Sequence, residues 1–410
     1  MTLAESTRAW LPVALGLMLV GWGANQFASM LAFYQQTHGF SQVAVTSMLG
    51  IYVAGLVPAL LFGGRISDRF GRKGTSIAAL LVAVLASAAM IFGVASPVVI
   101  YVGRLLAGVA TGAAMAASTS WVKELSHGAS AGAGARRASL FTTAGFWLGP
   151  VASGLIANFA PWPEVLPYAV HIVLCLPLFV FVARVPEGLQ IPLAIGKPAG
   201  KPEPYAYPGA GQRFRRVVVP GAPWVFGAGT VGFAVVPGLF TDLGDMALVY
   251  STVAVALTLG SGVAIQPWGR RLDDAQSAHA TLVALAMSVL GLLVALGSGR
   301  WQWPWLGLLA CCLLGAGYGL MLVAGLLETQ RLSSPERLGA ATGKFYTLAY
   351  AGYLAPTVLA FVALWVPMTH LLFAVFALAV CCWVLIALNS RHGVRPAGAQ
   401  REPAHSVPAD

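Results

Sequence analysis

Arg104 is the one basic residue set deep in an apolar stretch, within YVGRLLAGVATGAA. A guanidinium buried in hydrocarbon costs several kcal/mol, so it either snorkels back to a surface or faces a protein interior. Counted from residue 97 it lies ~10 Å deep along a helix, which leaves both readings open. Facing inward, it would attract an anionic group or bias a neighbouring titrating group. A second constellation, GGRISDRFGRK, sets Asp68 among Arg65, Arg69, Arg72 and Lys73, with Gly64 and Gly71 on either side of the acid. Basic residues there hold a loop on one side of a membrane. The lone acid adds nothing to that retention, so Asp68 reads instead as a helix cap or as the partner of an arginine in a breakable latch.

Other residues able to do chemistry are sparse. His171 would titrate near neutral pH and carry a proton, or it is a satisfied packing residue. Trp22, Asn25, Gln26, Trp147 and Tyr318 are polar or aromatic candidates for lining a solute cavity. Tyr346, Tyr350 and Tyr353 follow helical spacing and share a face, turned either to such a cavity or to lipid and neighbouring helices. No Asp or Glu stands near the middle of any apolar stretch, Glu124 and Glu328 falling at the ends of two of them. No metal-ligand cluster, nucleophile elbow, paired carboxylates or phosphate-cradling loop appears, which argues against an enzyme, an ATP-driven pump, a bound metal and a cofactor. Cys175, Cys311, Cys312, Cys381 and Cys382 all fall in apolar stretches and read as small buried hydrophobes.

The elements that must position these residues follow from composition. In 410 residues, 58% are hydrophobic and 9% charged, far below the roughly 25% charge of soluble domains. Apolar stretches recur at 9–33, 43–64, 76–95, 97–122, 138–159, 166–184, 217–240, 245–266, 279–297, 302–328, 339–363 and 367–389. Each is long enough to cross a hydrocarbon core as a helix. The first leads into another apolar stretch and has no small-residue cleavage pattern, so it reads as a retained span. The Pro- and Gly-rich segment 185–216 divides the spans six and six, giving bundles at 1–184 and 217–390, a cytoplasmic tether between them, and a disordered tail at 391–410.

Of 24 basic residues, Arg300 alone falls outside when both termini are placed inside, and Arg104 alone is deep in a span. Topology and anionic lipid therefore account for the net charge of +10, and no nucleic-acid partner is required. The expected location is a multi-pass protein of the plasma (inner) membrane.

The halves also repeat. Gly64, Arg65 and Asp68 match Gly269, Arg270 and Asp273 at constant spacing, Glu124 matches Glu328, and AGFWLGP matches AGYLAP. Duplication of this kind builds a pseudo-symmetric cavity that rocking opens to either side. GGRISDRFGRK resembles the signature loop between the second and third helices of the major facilitator superfamily. The resemblance implies an all-α membrane protein, twelve transmembrane helices in two pseudo-symmetric six-helix bundles, with Gly64, Asp68, Arg69, Gly71 and Arg72 as a cytoplasmic latch. Arg104, Gly108 and Gly112 resemble the family's fourth-helix pattern. Gly145, Gly149, Pro150 and Gly154 resemble the fifth-helix run of its antiporter branch, with Ser153 at the usual second-glycine position. Close packing of helix 5 on helix 8 or 11, with a bend at Pro150, would make it a gate, although small residues also pack most membrane bundles. Members that export lipophilic cations usually carry an embedded carboxylate, which this chain lacks. The expected function is proton-coupled efflux of a small neutral or anionic solute by a functional monomer. Import is the alternative, and a non-transporting receptor or scaffold stands behind it.

Overall fold

The computed structural model describes residues 8–93, 96–127, 129–130, 132–187, 205–334 and 337–394. Twelve helices are long and apolar enough to span a membrane: α1 Trp10–His38, α2 Gln42–Phe70, α3 Arg72–Phe92, α4 Pro97–Glu124, α5 Ala133–Phe159, α6 Leu166–Arg184, α7 Ala210–Leu239, α8 Gly244–Arg271, α9 His279–Trp301, α10 Pro304–Leu332, α11 Leu338–Val362 and α12 Met368–Leu388. Most of the stretch expected to be a tether (188–204) and most of the expected tail (395–410) lie outside the described residues.

Two boundaries differ most from the sequence reading, for definable reasons. The signature GGRISDRFGRK is largely helical, because nothing in it breaks α2 until Gly71, at φ 87° and ψ 153°, releases the chain into α3. Span seven starts at Ala210, inside the segment assigned to the tether, after Gly209 at φ 91°. Arg213 can enter this helix, fully buried, because Glu328 of α10 neutralises it.

One close helix crossing recurs in both halves. A Cβ at Gly108 or Gly112 of α4 would strike the backbone of α2 at Tyr52 and Leu56. One at Gly315 or Gly319 of α10 would strike α8 at Thr258 and Gly262. The two crossings are equivalent by the internal repeat, and they require glycine because the backbones themselves touch. Between the halves, α5 packs on α8 and α2 on α11. Four hydrogen bonds cross this seam. Gln42 Nε2 donates to the Ala234 carbonyl (3.1 Å), Thr357 Oγ1 to the Thr46 carbonyl (2.7 Å), Asn158 Nδ2 to Thr252 Oγ1 (3.1 Å) and Trp147 Nε1 to the Ala256 carbonyl (3.0 Å). Gln42, Asn158 and Thr357 lie toward the end where α2 begins, so this end is held by three bonds between the halves, two of them to backbone carbonyls.

A cavity between the halves

The spans that meet at the centre are the irregular ones. α1 is broken by a 3-10 segment at Gln26–Met30, α7 carries a π segment at Val231–Val235, and α11 breaks after Gly352. Non-helical backbone at membrane depth survives where protein or a cavity, rather than lipid, surrounds it. Around these breaks lies a narrow cavity lined by Asn25, Tyr52, Phe146, Phe226, Gly229, Thr230, Phe233, Leu259, Tyr318, Tyr350 and Tyr353. Seven of these eleven are aromatic, and none is charged. Phe226 stacks on Tyr350 (centroids 4.3 Å apart) and meets Tyr318 and Tyr353 at 6.0 and 6.1 Å, while Tyr353 meets Tyr52 at 5.7 Å. The wall therefore runs unbroken from one half into the other.

Of the cavity candidates named from sequence, Asn25, Tyr318, Tyr350 and Tyr353 are lining residues. The other four occupy different places. Gln26 is buried and donates to Ser87 Oγ (2.8 Å), Trp147 is committed to the α5–α8 seam, Trp22 packs beneath α5, and Tyr346 stands behind Tyr350 at 6.3 Å. Periodicity could not separate these groups, since a helix turn brings cavity and packing positions within 100° of each other. Tyr52, Phe146, Phe226 and Phe233 were missed because an aromatic facing a cavity reads the same as one facing lipid. One signal was available: FGAGTVGFAVV in α7 carries small residues on every side, the mark of a helix enclosed by other helices.

Arg104 does not snorkel. It is 1% exposed, and it lies one layer behind the cavity rather than on its surface. Its Nη1 donates to the Ala24 carbonyl (2.7 Å) and Nε to the Met48 carbonyl (3.3 Å), and its guanidinium stacks at 5.0 Å on Phe27 and 4.9 Å on Tyr52. The Ala24 acceptor comes from the turn where α1 loses its helical ladder. Arg104 Nη2 and the Tyr353 hydroxyl are bonded to no third group and lack a well-aligned hydrogen bond to each other, but they face one another within reach of a weak one.

His171 is buried away from the cavity lining. Its Nε2 donates to the Leu19 carbonyl (2.9 Å), so Nδ1 is the acceptor for Ser87 Oγ (2.8 Å), which in turn accepts from Gln26. A neutral ring satisfies every bond in this chain, which is the arrangement of a packing residue. The cysteines divide: Cys175 and Cys311 are buried, Cys312 and Cys382 half-buried, and Cys381 is exposed, against the expectation that all five are interior.

The fifth-helix run is placed otherwise than expected. Gly145 and Gly149 pack against the backbone of α1 at Met18 and Trp22, within the same half, and not against α8 or α11. Pro150 has no N–H for the Phe146 carbonyl, and Asn25 Nδ2 donates to that freed carbonyl (3.2 Å). Ser29 Oγ donates to the carbonyl of Pro150 itself (2.7 Å). Gly154 alone of the four faces the other half, against Thr252 of α8.

At the basic end, Asp68 does not cap α3. That place is held by Glu187, whose Oε1 accepts from Lys73 N (3.0 Å) beside Gly71. Asp68 pairs with Arg72 (2.9 Å), and Arg72 reaches Glu124 (3.2 Å) and Ser67 Oγ (2.9 Å), all within the first half. Arg69 lies over Phe70, and nothing within 4 Å would meet a Cβ at Gly64, so no neighbour packs closely on that glycine in this conformation. The second half builds the equivalent cluster: Arg331 joins Asp273 (2.6 Å) to Glu328 (2.6 Å), and Glu328 also holds Arg213. The acids are equivalent by the repeat. The arginines joining them are not, one coming from the start of α3 and the other from the end of α10.

A twelve-helix, two-bundle membrane protein with a central cavity at the seam of its repeats is a secondary transporter in architecture, and the comparisons with known proteins agree. The sequence matches the Major Facilitator Superfamily over residues 13–352, and the chain belongs to that family. It is 35% identical over 118 residues to multidrug resistance protein 2 of Bacillus subtilis (strain 168), a match covering 28% of this chain and 29% of that protein. In fold it is similar to a D-xylose–proton symporter (TM-score 0.66, 17% identity, 95% of this chain and 97% of that one). It is likewise similar to a peptide transporter crystallised with sulfate (TM-score 0.72, 15% identity, 93% of each chain).

Proposed function

We infer that this transporter exports a small neutral or anionic organic solute in exchange for protons, rocking its halves about the central cavity. The observation that carries the reading is the charge of the site: an uncharged aromatic wall with the Arg104 guanidinium directly behind it and no carboxylate among the lining residues. One ring-width away, at roughly 8 Å and an effective dielectric of about 20, a unit charge in the cavity interacts with Arg104 by about 2 kcal/mol. An anion gains that energy and a cation loses it. The similarity to a multidrug resistance protein supports export over import, as does the antiporter-like run in α5. With the basic end taken as cytoplasmic, the closed end faces outward, and Asp68 lies on the cytoplasmic face as one half of a latch that engages when that face closes.

The test is substrate-dependent proton flux in proteoliposomes, with a panel of organic acids and neutral solutes, for the wild type, Arg104→Lys and Arg104→Gln. Lysine keeps the charge and loses the planar fork, so partial transport is expected, whereas glutamine should insert and lose coupling. Full pH-driven transport by Arg104→Gln refutes the coupling role. Uptake driven by the same gradient in the opposite sense establishes import instead.

A further inference from the structure

Two hydrogen-bond donors lie side by side beneath the cavity wall, the hydroxyl of the lining residue Tyr353 and Arg104 Nη2, facing each other and bonded to no third group. Both residues are more than nine-tenths buried. Elsewhere in the guanidinium each nitrogen has an acceptor and both faces are covered by rings, so what remains open is one edge, turned toward Tyr353. Donors left unpaired in a buried site select a ligand that brings an acceptor. Two other polar groups of the lining are already engaged. Asn25 Nδ2 is given to the Phe146 carbonyl, and Thr230 Oγ1 bonds the Phe226 carbonyl. A flat ring would find the Phe226, Tyr350 and Tyr353 wall.

We propose that the cavity binds an aromatic carboxylate, its ring on the Phe226–Tyr350–Tyr353 wall and its carboxylate received by the Tyr353 hydroxyl and Arg104 Nη2. The assignment rests on the exporter reading only in placing the solute in this cavity. A lipophilic cation is disfavoured, since the wall contains no acid and the Tyr52 ring already stacks on a cation.

The experiment is equilibrium binding to the purified full chain in lipid nanodiscs, with naphthoate, naphthamide, naphthylmethylammonium and decalin carboxylate as probes. Naphthoate should bind about tenfold more tightly than naphthamide or decalin carboxylate, and roughly 30-fold more tightly than the ammonium. Tyr353→Phe keeps the ring and removes one donor, and should narrow the acid-to-amide ratio to within about threefold, as should Arg104→Gln. Should Arg104→Gln fail to fold, the Tyr353→Phe ratio alone decides. The proposal is overturned if the wild type shows no saturable naphthoate binding, if the ammonium binds as well as the acid, or if Tyr353→Phe leaves the ratio unchanged. Naphthoate binding with this selectivity but without proton-coupled movement refutes the exporter reading and leaves the subsite standing. Coupled transport of a neutral solute with no preference for acids overturns the subsite alone.

Discussion

Glu328 offers the sharpest test of how the second half is held. Its side chain is 5% exposed, and it is shared by Arg213, 1% exposed, and Arg331, 22% exposed. Arg213 also donates through Nη1 to the carbonyls of Ser390 (2.7 Å) and His392 (3.1 Å), binding the start of α7 to the chain beyond α12. Glu328→Gln removes the one carboxylate paired with a fully buried guanidinium, while Arg331 keeps Asp273. Breaking a buried pair on one side costs about 3–5 kcal/mol, because the surviving charge stays buried without compensation. The equivalent change in the first half, Asp68→Asn, disturbs a pair in which the acid is 67% exposed, and exposed pairs are worth about 0–1 kcal/mol. Thermal or denaturant unfolding of both variants in one detergent should show a large loss for Glu328→Gln and almost none for Asp68→Asn. Pairing Glu328→Leu with Arg213→Met, which removes both charges, should recover much of the loss. If the two single variants are equally stable, or the double variant is no better than Glu328→Gln, the account of this buried network is wrong.

Because Asp68 contributes so little here, any effect of Asp68→Asn on transport must come from a different conformation. Transport should fall sharply while insertion is kept, and distances between the basic ends of the halves, measured by electron–electron double resonance, should change; unchanged distances refute the latch. Gly149→Leu and Pro150→Leu should reduce transport more than expression by wedging or straightening the α1–α5 contact, and normal transport by both would reduce the run to ordinary packing. Gly154→Leu acts on the other side of α5, against Thr252, and should weaken closure of the α2-start end, read as greater access of a thiol reagent to a cysteine placed at Thr230.

Much of the architecture was legible because its signals are local. Twelve apolar runs, the punctuating glycines and the duplicated Asp68/Asp273 and Glu124/Glu328 positions are each visible within a few residues. What could not be read depends on how helices turn toward one another. Nothing in the sequence says that Gly149 meets α1 rather than α8, that Glu187 takes the cap expected of Asp68, or that Tyr52 stands between Arg104 and the cavity. Arg104 was legible as a costly charge that either snorkels or faces inward, and the fold places it inside. Its single-layer retreat from the cavity depends on Phe27 and Tyr52, whose apolar rings carry no mark of that task.

The bonds from Asn25 and Ser29 to the bent backbone of α5 have a mechanical meaning. A rocking bundle transmits force only where its members cannot slide, and these bonds, with the backbone contacts at Gly145 and Gly149, remove the slip plane between α1 and α5. Torque applied at the seam, where α5 grips Thr252 and Ala256, is thus delivered to the broken turn of α1 and, through the Ala24 carbonyl, to the guanidinium of Arg104. The linkage has the form of a crank: any movement of one half against the other would reach, through these bonds, the charge behind the aromatic wall.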